Sequence, residues 1–177
     1  MIRWRLWLWL PLLAIALLCG LFALQLSRPK DEFVRSALIG QPLPAFSLKP
    51  AVPGQPALAT TDLADGKPRL LNIFASWCVP CAAEAPQLAA LQAGGAEIVA
   101  VAIRDTPDDV AAFLDAYGNP FSRIGADPYS QLQIALGSSG VPETFVIDGK
   151  GVIRHQHIGD IRASDVPRLL KELEDAE

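Results

Sequence analysis

Lys67-Pro68-Arg69-Leu70-Leu71-Asn72-Ile73-Phe74-Ala75-Ser76-Trp77-Cys78-Val79-Pro80-Cys81-Ala82-Ala83-Glu84-Ala85-Pro86 is the stretch from which the fold of this chain can be read. Leu70 to Ala75 is an apolar run of strand length; it breaks at Ser76-Trp77, and two cysteines three apart follow where a helix should begin. A strand thus delivers a dithiol to a helix N-terminus. There the unpaired backbone N–H groups and the positive end of the helix dipole favour a thiolate at Cys78, where it can meet a substrate. Cys81 lies one turn further in, close enough to close a small disulfide ring without the fold moving.

A Cys-x-x-Cys pair is also half of a zinc site, and zinc requires a second Cys or His pair at finger spacing. The chain holds one other cysteine, Cys19, and two histidines, His155 and His157, far along the sequence. Redox chemistry is therefore the stronger reading. No cofactor and no metal is expected, and the two histidines read as strand-face packing. The Trp-Cys-Val-Pro-Cys motif in its strand-to-helix setting resembles the thioredoxin superfamily, which implies that fold and a redox-active disulfide between Cys78 and Cys81.

Working outward, residues 6 to 26 hold no charge and are rich in Leu and Ala, long enough to cross a bilayer once. Arg3 and Arg5 precede them, which leaves residues 1–5 in the cytoplasm and the rest of the chain outside. A cleaved signal peptide needs a shorter apolar core and a small-x-small site, and lipoprotein processing at Cys19 needs a small residue where Leu18 stands. An uncleaved signal anchor over 6–26 is the better reading, with Cys19 as a small apolar residue inside it. A linker over 27–40 and a thioredoxin-like domain over 41–177 are expected to follow.

From Phe33 onward there are 11 Lys and Arg against 17 Asp and Glu, a net charge of −6, which argues against a nucleic-acid partner. That part holds no cysteines beyond the pair, so a disulfide framework is excluded and the pair is the working chemistry.

Prolines at 42, 44, 50, 53 and 56 mark an extended approach to the central strand, with an edge strand at Ala45–Leu48 and a short helical turn at Thr61–Ala64. After the active-site helix, which ends near Gly94-Gly95, come a buried strand over 97–103 and a helix capped by Thr106. A short strand over 120–124, a short helix over 129–136, a hairpin of 141–148 with 152–158, and a last helix capped by Ser164 complete the chain. The order is β-α-β-α-β-β-α: an α/β class with a central mixed sheet and helices on both faces.

Gly140-Val141-Pro142-Glu143-Thr144-Phe145 is the second informative stretch. The resemblance places Pro142, in the cis form, beside Cys78 to hold a substrate strand. Together with the anchor, Glu84 and this hexapeptide, the chain is similar to the membrane-anchored periplasmic thiol–disulfide oxidoreductases of cytochrome c maturation, the CcmG or DsbE type. That resemblance implies a reductant of the haem-binding Cys-x-x-Cys-His disulfide of apocytochrome c, fed by a transmembrane electron donor of the DsbD or CcdA kind in a bacterial inner membrane. An anchored reductase with other clients, such as oxidase assembly, is a second reading, and a copper-binding assembly factor a third.

For roles, Cys78 attacks and Cys81 resolves the mixed disulfide. Glu84, one turn beyond Cys81, is either the acceptor of its proton or a solvated helix carboxylate. Where thioredoxin carries a buried Asp this chain has Asn72, which cannot take a proton. Trp77 covers the dithiol, and Glu143 either contributes to substrate recognition or is a surface acid. With no cation between the cysteines and two carboxylates nearby, the thiolate is weakly stabilised, which favours a reductant.

Overall fold

The computed structural model describes residues 9–26 and 36–176, which fall into two separate units. The first is helix α1 (Trp9–Leu26), of 18 residues, whose Leu13 and Phe22 side chains are exposed. Among the described residues no helix is long and apolar enough to cross a membrane. The first three residues of the span expected over 6–26, the segment 1–5 expected in the cytoplasm and residues 27–35 of the expected linker lie outside the described residues.

The second unit is built on a five-stranded sheet with the order β5-β4-β3-β6-β7, formed by β3 (Arg69–Phe74), β4 (Ile98–Ile103), β5 (Arg123–Asp127), β6 (Glu143–Ile147) and β7 (Ile153–Ile158). β3, β4 and β5 run parallel; β6 is antiparallel to β3, and β7 to β6. Every residue of β3 and β4 is buried, as expected for strands covered on both faces. Helices α2 (Val79–Ala93), α3 (Pro107–Tyr117), α4 (Gln131–Ala135) and α5 (Val166–Glu174) complete the α/β thioredoxin-like fold. Phe74, Phe113 and Phe121 pack ring against ring beneath the start of α2, with centroids 5.3–5.4 Å apart.

The proline-rich approach forms a two-stranded ribbon of β1 (Ser47–Leu48) and β2 (Leu58–Ala59), followed by a 3₁₀ turn at Thr60–Leu63. It also closes both edges of the main sheet. Gly40 N donates to Ile153 O, Leu43 N to Gly151 O and Ile153 N to Gln41 O along β7. Ala51 N donates to Ile124 O and Ala126 N to Lys49 O along β5. Bare strand edges invite pairing with other chains, and this segment occupies both. At Gly125 a Cβ would stand 2.8 Å from the Leu48 side chain, which is why the closing segment can come so near.

Three expectations shift. The strand expected over 120–124 is β5 over 123–127, because Pro120 has no N–H and pairing with β4 starts only at Ser122 N, which donates to Ile98 O. Helix α5 starts at Val166 after Asp165, whose carboxylate accepts from Arg162 N; Ser164 is exposed and does not cap it. The folded unit also reaches back beyond the boundary expected at 41. Ser36 is buried, donates from its hydroxyl to Leu136 O at 2.6 Å, and its N–H donates to Gln156 Oε1 at 2.6 Å.

Candidate active site

β3, β4 and β5 end on the same side of the sheet, and the loops that follow them build the site. After Phe74 the chain turns through Ala75-Ser76-Trp77, and Cys78 becomes the N-cap of α2 with Pro80 in the first turn. Cys78 and Cys81 are joined in a disulfide with Cα atoms 5.3 Å apart. Cys81 N donates to Cys78 Sγ at 3.2 Å, so the backbone at the head of the helix already points a donor at the sulfur where a thiolate would form. Cys78 is 5% exposed, while Trp77 beside it is 56% exposed and donates from its indole Nε1 to Arg104 O at 3.4 Å.

Ile73 on β3 faces Glu143 on β6, and this register sets Pro142 beside the end of β3 where the chain turns toward Cys78. The Val141–Pro142 bond is cis, as the resemblance implied. Sequence-distant stretches are thereby brought together: Trp77, Cys78, Cys81 and Pro142 meet at one end of the sheet.

Glu84 is fully buried, which removes the solvated-carboxylate alternative. Its Oε1 accepts from Asn72 Nδ2 at 3.0 Å and its Oε2 from Ile161 N at 2.9 Å. Asn72 also donates to Thr144 Oγ1 at 3.0 Å, so the residue standing where thioredoxin has an acid serves to hold Glu84 in place. Burial pushes the Glu84 carboxyl up from 4.5 to about 7, against the pull of the two donors, and nearby Asp160 pushes it the same way. A cavity of about 10 Å³ is lined by Cys81, Glu84, Asn72 and Phe74, so the second cysteine and the carboxyl line one small space.

Glu143 is also buried, at 1% exposure, and is therefore no surface acid. Its Oε1 accepts from Ser139 N at 2.9 Å and from Ser139 Oγ at 2.5 Å, and its Oε2 from Gln156 Nε2 at 3.2 Å. It is spent on ordering the loop that leads into Pro142, and a direct grip on substrate is not what its position offers.

His157 contacts Asp160 O at 3.3 Å and Arg168 Nη2 at 3.0 Å, and His155 Nδ1 lies 3.8 Å from Glu172. Both belong to the β7–α5 face, as the packing reading held. Among the described residues no group of three or more His, Cys, Asp or Glu side chains could hold a metal ion.

Sequence reasoning did not find Asp105. It follows β4, and its carboxylate accepts from Ser76 N at 2.7 Å and Ser76 Oγ at 2.5 Å. The available signal was positional: Ser76 and Asp105 each follow the end of one of two adjacent parallel strands.

A disulfide at a helix N-terminus, a cis-proline on the neighbouring strand and a buried carboxyl behind the second cysteine, on this sheet, define a thioredoxin-fold thiol–disulfide oxidoreductase. Comparison with known proteins agrees. Residues 38–173 match the Redoxin family. The thiol:disulfide interchange protein HelX of Rhodobacter capsulatus is 40% identical over 166 residues, spanning 93% of this chain and 93% of that protein. The thiol:disulfide interchange protein DsbE of Escherichia coli K12 is 37% identical over 168 residues, spanning 92% and 88%. The crystal structure of a thioredoxin-family thiol:disulfide interchange protein from Chlorobium tepidum superposes with a TM-score of 0.61 at 25% identity, covering 76% of this chain and 94% of that one. The chain belongs to the Redoxin family and is a thiol–disulfide oxidoreductase of the CcmG/DsbE type.

Proposed function

We propose that this protein is a membrane-anchored periplasmic reductant, and that its substrate is the haem-binding Cys-x-x-Cys-His disulfide of apocytochrome c during cytochrome c maturation. Electrons reach it from a transmembrane donor of the DsbD or CcdA kind, and the apolar N-terminal segment over 6–26 is its signal anchor. Similarity to HelX and DsbE over nearly the whole chain supports this reading, as does the uncharged N-terminal run behind Arg3 and Arg5.

The observation that carries the reducing direction is the environment of the pair. Val79-Pro80 places no cation between the cysteines, and the group that shares a cavity with Cys81 is a carboxyl. Negative charge there raises thiol pKa values, leaves the reduced form less stabilised and makes the dithiol a donor of electrons.

The steps follow from the site. Cys78 thiolate attacks one sulfur of the substrate disulfide; a mixed disulfide forms and the other substrate sulfur leaves as thiolate. Cys81 gives its proton to Glu84 and attacks Cys78 Sγ, which releases the second substrate sulfur as thiolate and closes the Cys78–Cys81 disulfide. Two electrons have passed to the substrate, whose two thiolates take their protons from solvent, to which Glu84 returns the Cys81 proton. Pro142 offers its backbone to the substrate strand, and Trp77 provides an apolar contact beside the mixed disulfide. Glu143 acts through the Ser138–Gly140 loop.

The test is a trap: the full chain with Cys81→Ser is expressed in membranes that make c-type cytochromes, and the mixed disulfides on Cys78 are identified. Apocytochrome c held through its haem-binding cysteines is the expected capture. Capture of other exported proteins in its place would overturn the substrate assignment in favour of a reductase with other clients.

A further inference from the structure

We propose that Asp105 is a positioning residue of this oxidoreductase: by clamping Ser76 it holds the turn that seats Cys78 at the head of α2. The proposal rests on the thiol–disulfide exchange activity alone and is independent of which protein is the substrate.

The clamp has two points. One carboxylate oxygen accepts from the backbone N–H of Ser76 and the other from its hydroxyl, at 2.7 and 2.5 Å. These are charge-assisted bonds, of the stronger kind, and they grip the residue two before Cys78. Cys78 N in turn donates to Ala75 O at 3.1 Å, so the turn is tied within itself and to the neighbouring loop.

Asp105 can act as a clamp because its own corner is rigid. Arg104 adopts a left-handed conformation, φ 51°, rare for a residue with a side chain. Such a conformation persists only where the surroundings enforce it. Here Arg104 N donates to Asp127 O at 3.3 Å, Arg104 Nε donates to Ser130 Oγ at 3.0 Å, and Arg104 O accepts the Trp77 indole at 3.4 Å. On the other side Thr106 caps α3, accepting from Asp109 N at 3.3 Å. Asp105 therefore sits between a residue pinned to the β5–α4 loop and the start of a helix, and it carries that rigidity across to the β3–α2 turn.

The consequence is chemical. Stabilisation of a Cys78 thiolate depends on where the sulfur sits relative to the first N–H groups of α2, such as Cys81 N at 3.2 Å. A turn free to drift by a fraction of an ångström weakens that alignment and slows attack.

The experiment uses the full chain in detergent with Cys19→Ser, so that Cys78 and Cys81 are the thiols that react. The exchange rate of the reduced protein with dithiobis(nitrobenzoate) is followed from pH 4 to 10, which gives both the rate and the Cys78 titration midpoint. Asp105→Ala is expected to slow exchange about tenfold at pH 7 and to move the midpoint upward. Asp105→Asn keeps an oxygen for Ser76 N and an amide for its hydroxyl, and is expected to recover the rate to within about threefold, with the midpoint restored. An Asp105→Ala protein with unchanged rate and midpoint overturns the proposal. So does an Asp105→Asn protein as slow as the alanine variant, which would make the charge and not the grip responsible. If Asp105→Ala does not fold, Ser76→Ala removes one of the two bonds and is expected to give a slower rate with a raised midpoint; no change in either overturns the proposal there.

Discussion

Glu84 links the stability of this protein to its chemistry. Its carboxyl titrates at about 7 in the folded chain and near 4.5 when unfolded. Between those values the folded protein holds a proton that the unfolded chain has released, so stability falls as pH rises through that window and levels off above it. The shift corresponds to a loss of about 3 kcal/mol. Denaturant unfolding of the oxidised protein at pH 5 and pH 8 measures it, with Glu84→Gln as the control whose stability should lack most of this slope; an unaltered slope in the control would remove Glu84 as its source. In the reduced protein the same substitution removes the acceptor proposed for the Cys81 proton. The mixed disulfide on Cys78 should then resolve about a hundredfold more slowly at pH 7, read as its lifetime after mixing with a disulfide peptide. Asn72 supplies the complementary case. Its Nδ2 lies 3.0 Å from Glu84 Oε1, so Asn72→Asp sets two carboxyls against each other and forfeits a donor. The variant should be destabilised by about 2 kcal/mol or more at pH 8 and by less at pH 5, where both carboxyls can be protonated.

At the scale of elements, the parts that could be read in the sequence are those specified locally. β3, the cysteine helix and the Thr106 cap announce themselves within a few residues, through apolar runs, a break and a capping side chain. The parts that could not be read are set by pairing over long distances. The proline-rich segment was legible as extended chain, but nothing in it says that residues 40–43 close β7 while 49–51 close β5. Likewise Glu84 could be placed one turn past Cys81, whereas the backbone N–H of Ile161 from which it accepts lies 77 residues away. Asp127 is a further case, a cap supplied from the end of a strand. Its two carboxylate oxygens accept from the N–H groups of Gln131, Leu132 and Gln133 at 2.8–3.1 Å. No cap was legible there because the acid stands outside the helix, before a left-handed Ser130. Asp127→Ala should cost about 2 kcal/mol in denaturant unfolding. It should also loosen the loop on which Ser130 receives Arg104; a variant as stable as the parent would show the cap to be idle.

For the molecule as a whole, the point at which the folded unit begins matters more than its composition suggests. Ser36 is buried against residues 100 and 120 positions further on, through Leu136 O and Gln156 Oε1. Gln156 is the same residue that donates to Glu143, and Glu143 holds Ser139 in the loop before Pro142. Gly137, at the start of that loop, would bring a Cβ within 3.2 Å of Ser36 Oγ. Ser36 and its neighbours thus brace the loop that leads to the cis-proline, so removing them should act on stability and on substrate handling together. A chain beginning at Phe33 keeps this brace and should fold by itself with full exchange activity. One beginning at Gln41 loses both Ser36 bonds and the Gly40 bond to Ile153, and leaves part of the β7 edge unpaired. It should be less stable by about 3 kcal/mol. Its activity should also separate from its stability: with a small aromatic disulfide, which needs only Cys78, the rate should hold, whereas with a peptide disulfide laid along Pro142 the KM should rise. Equal stability for the two chains, or an equal loss with both probes, would show that the brace does not reach the proline loop.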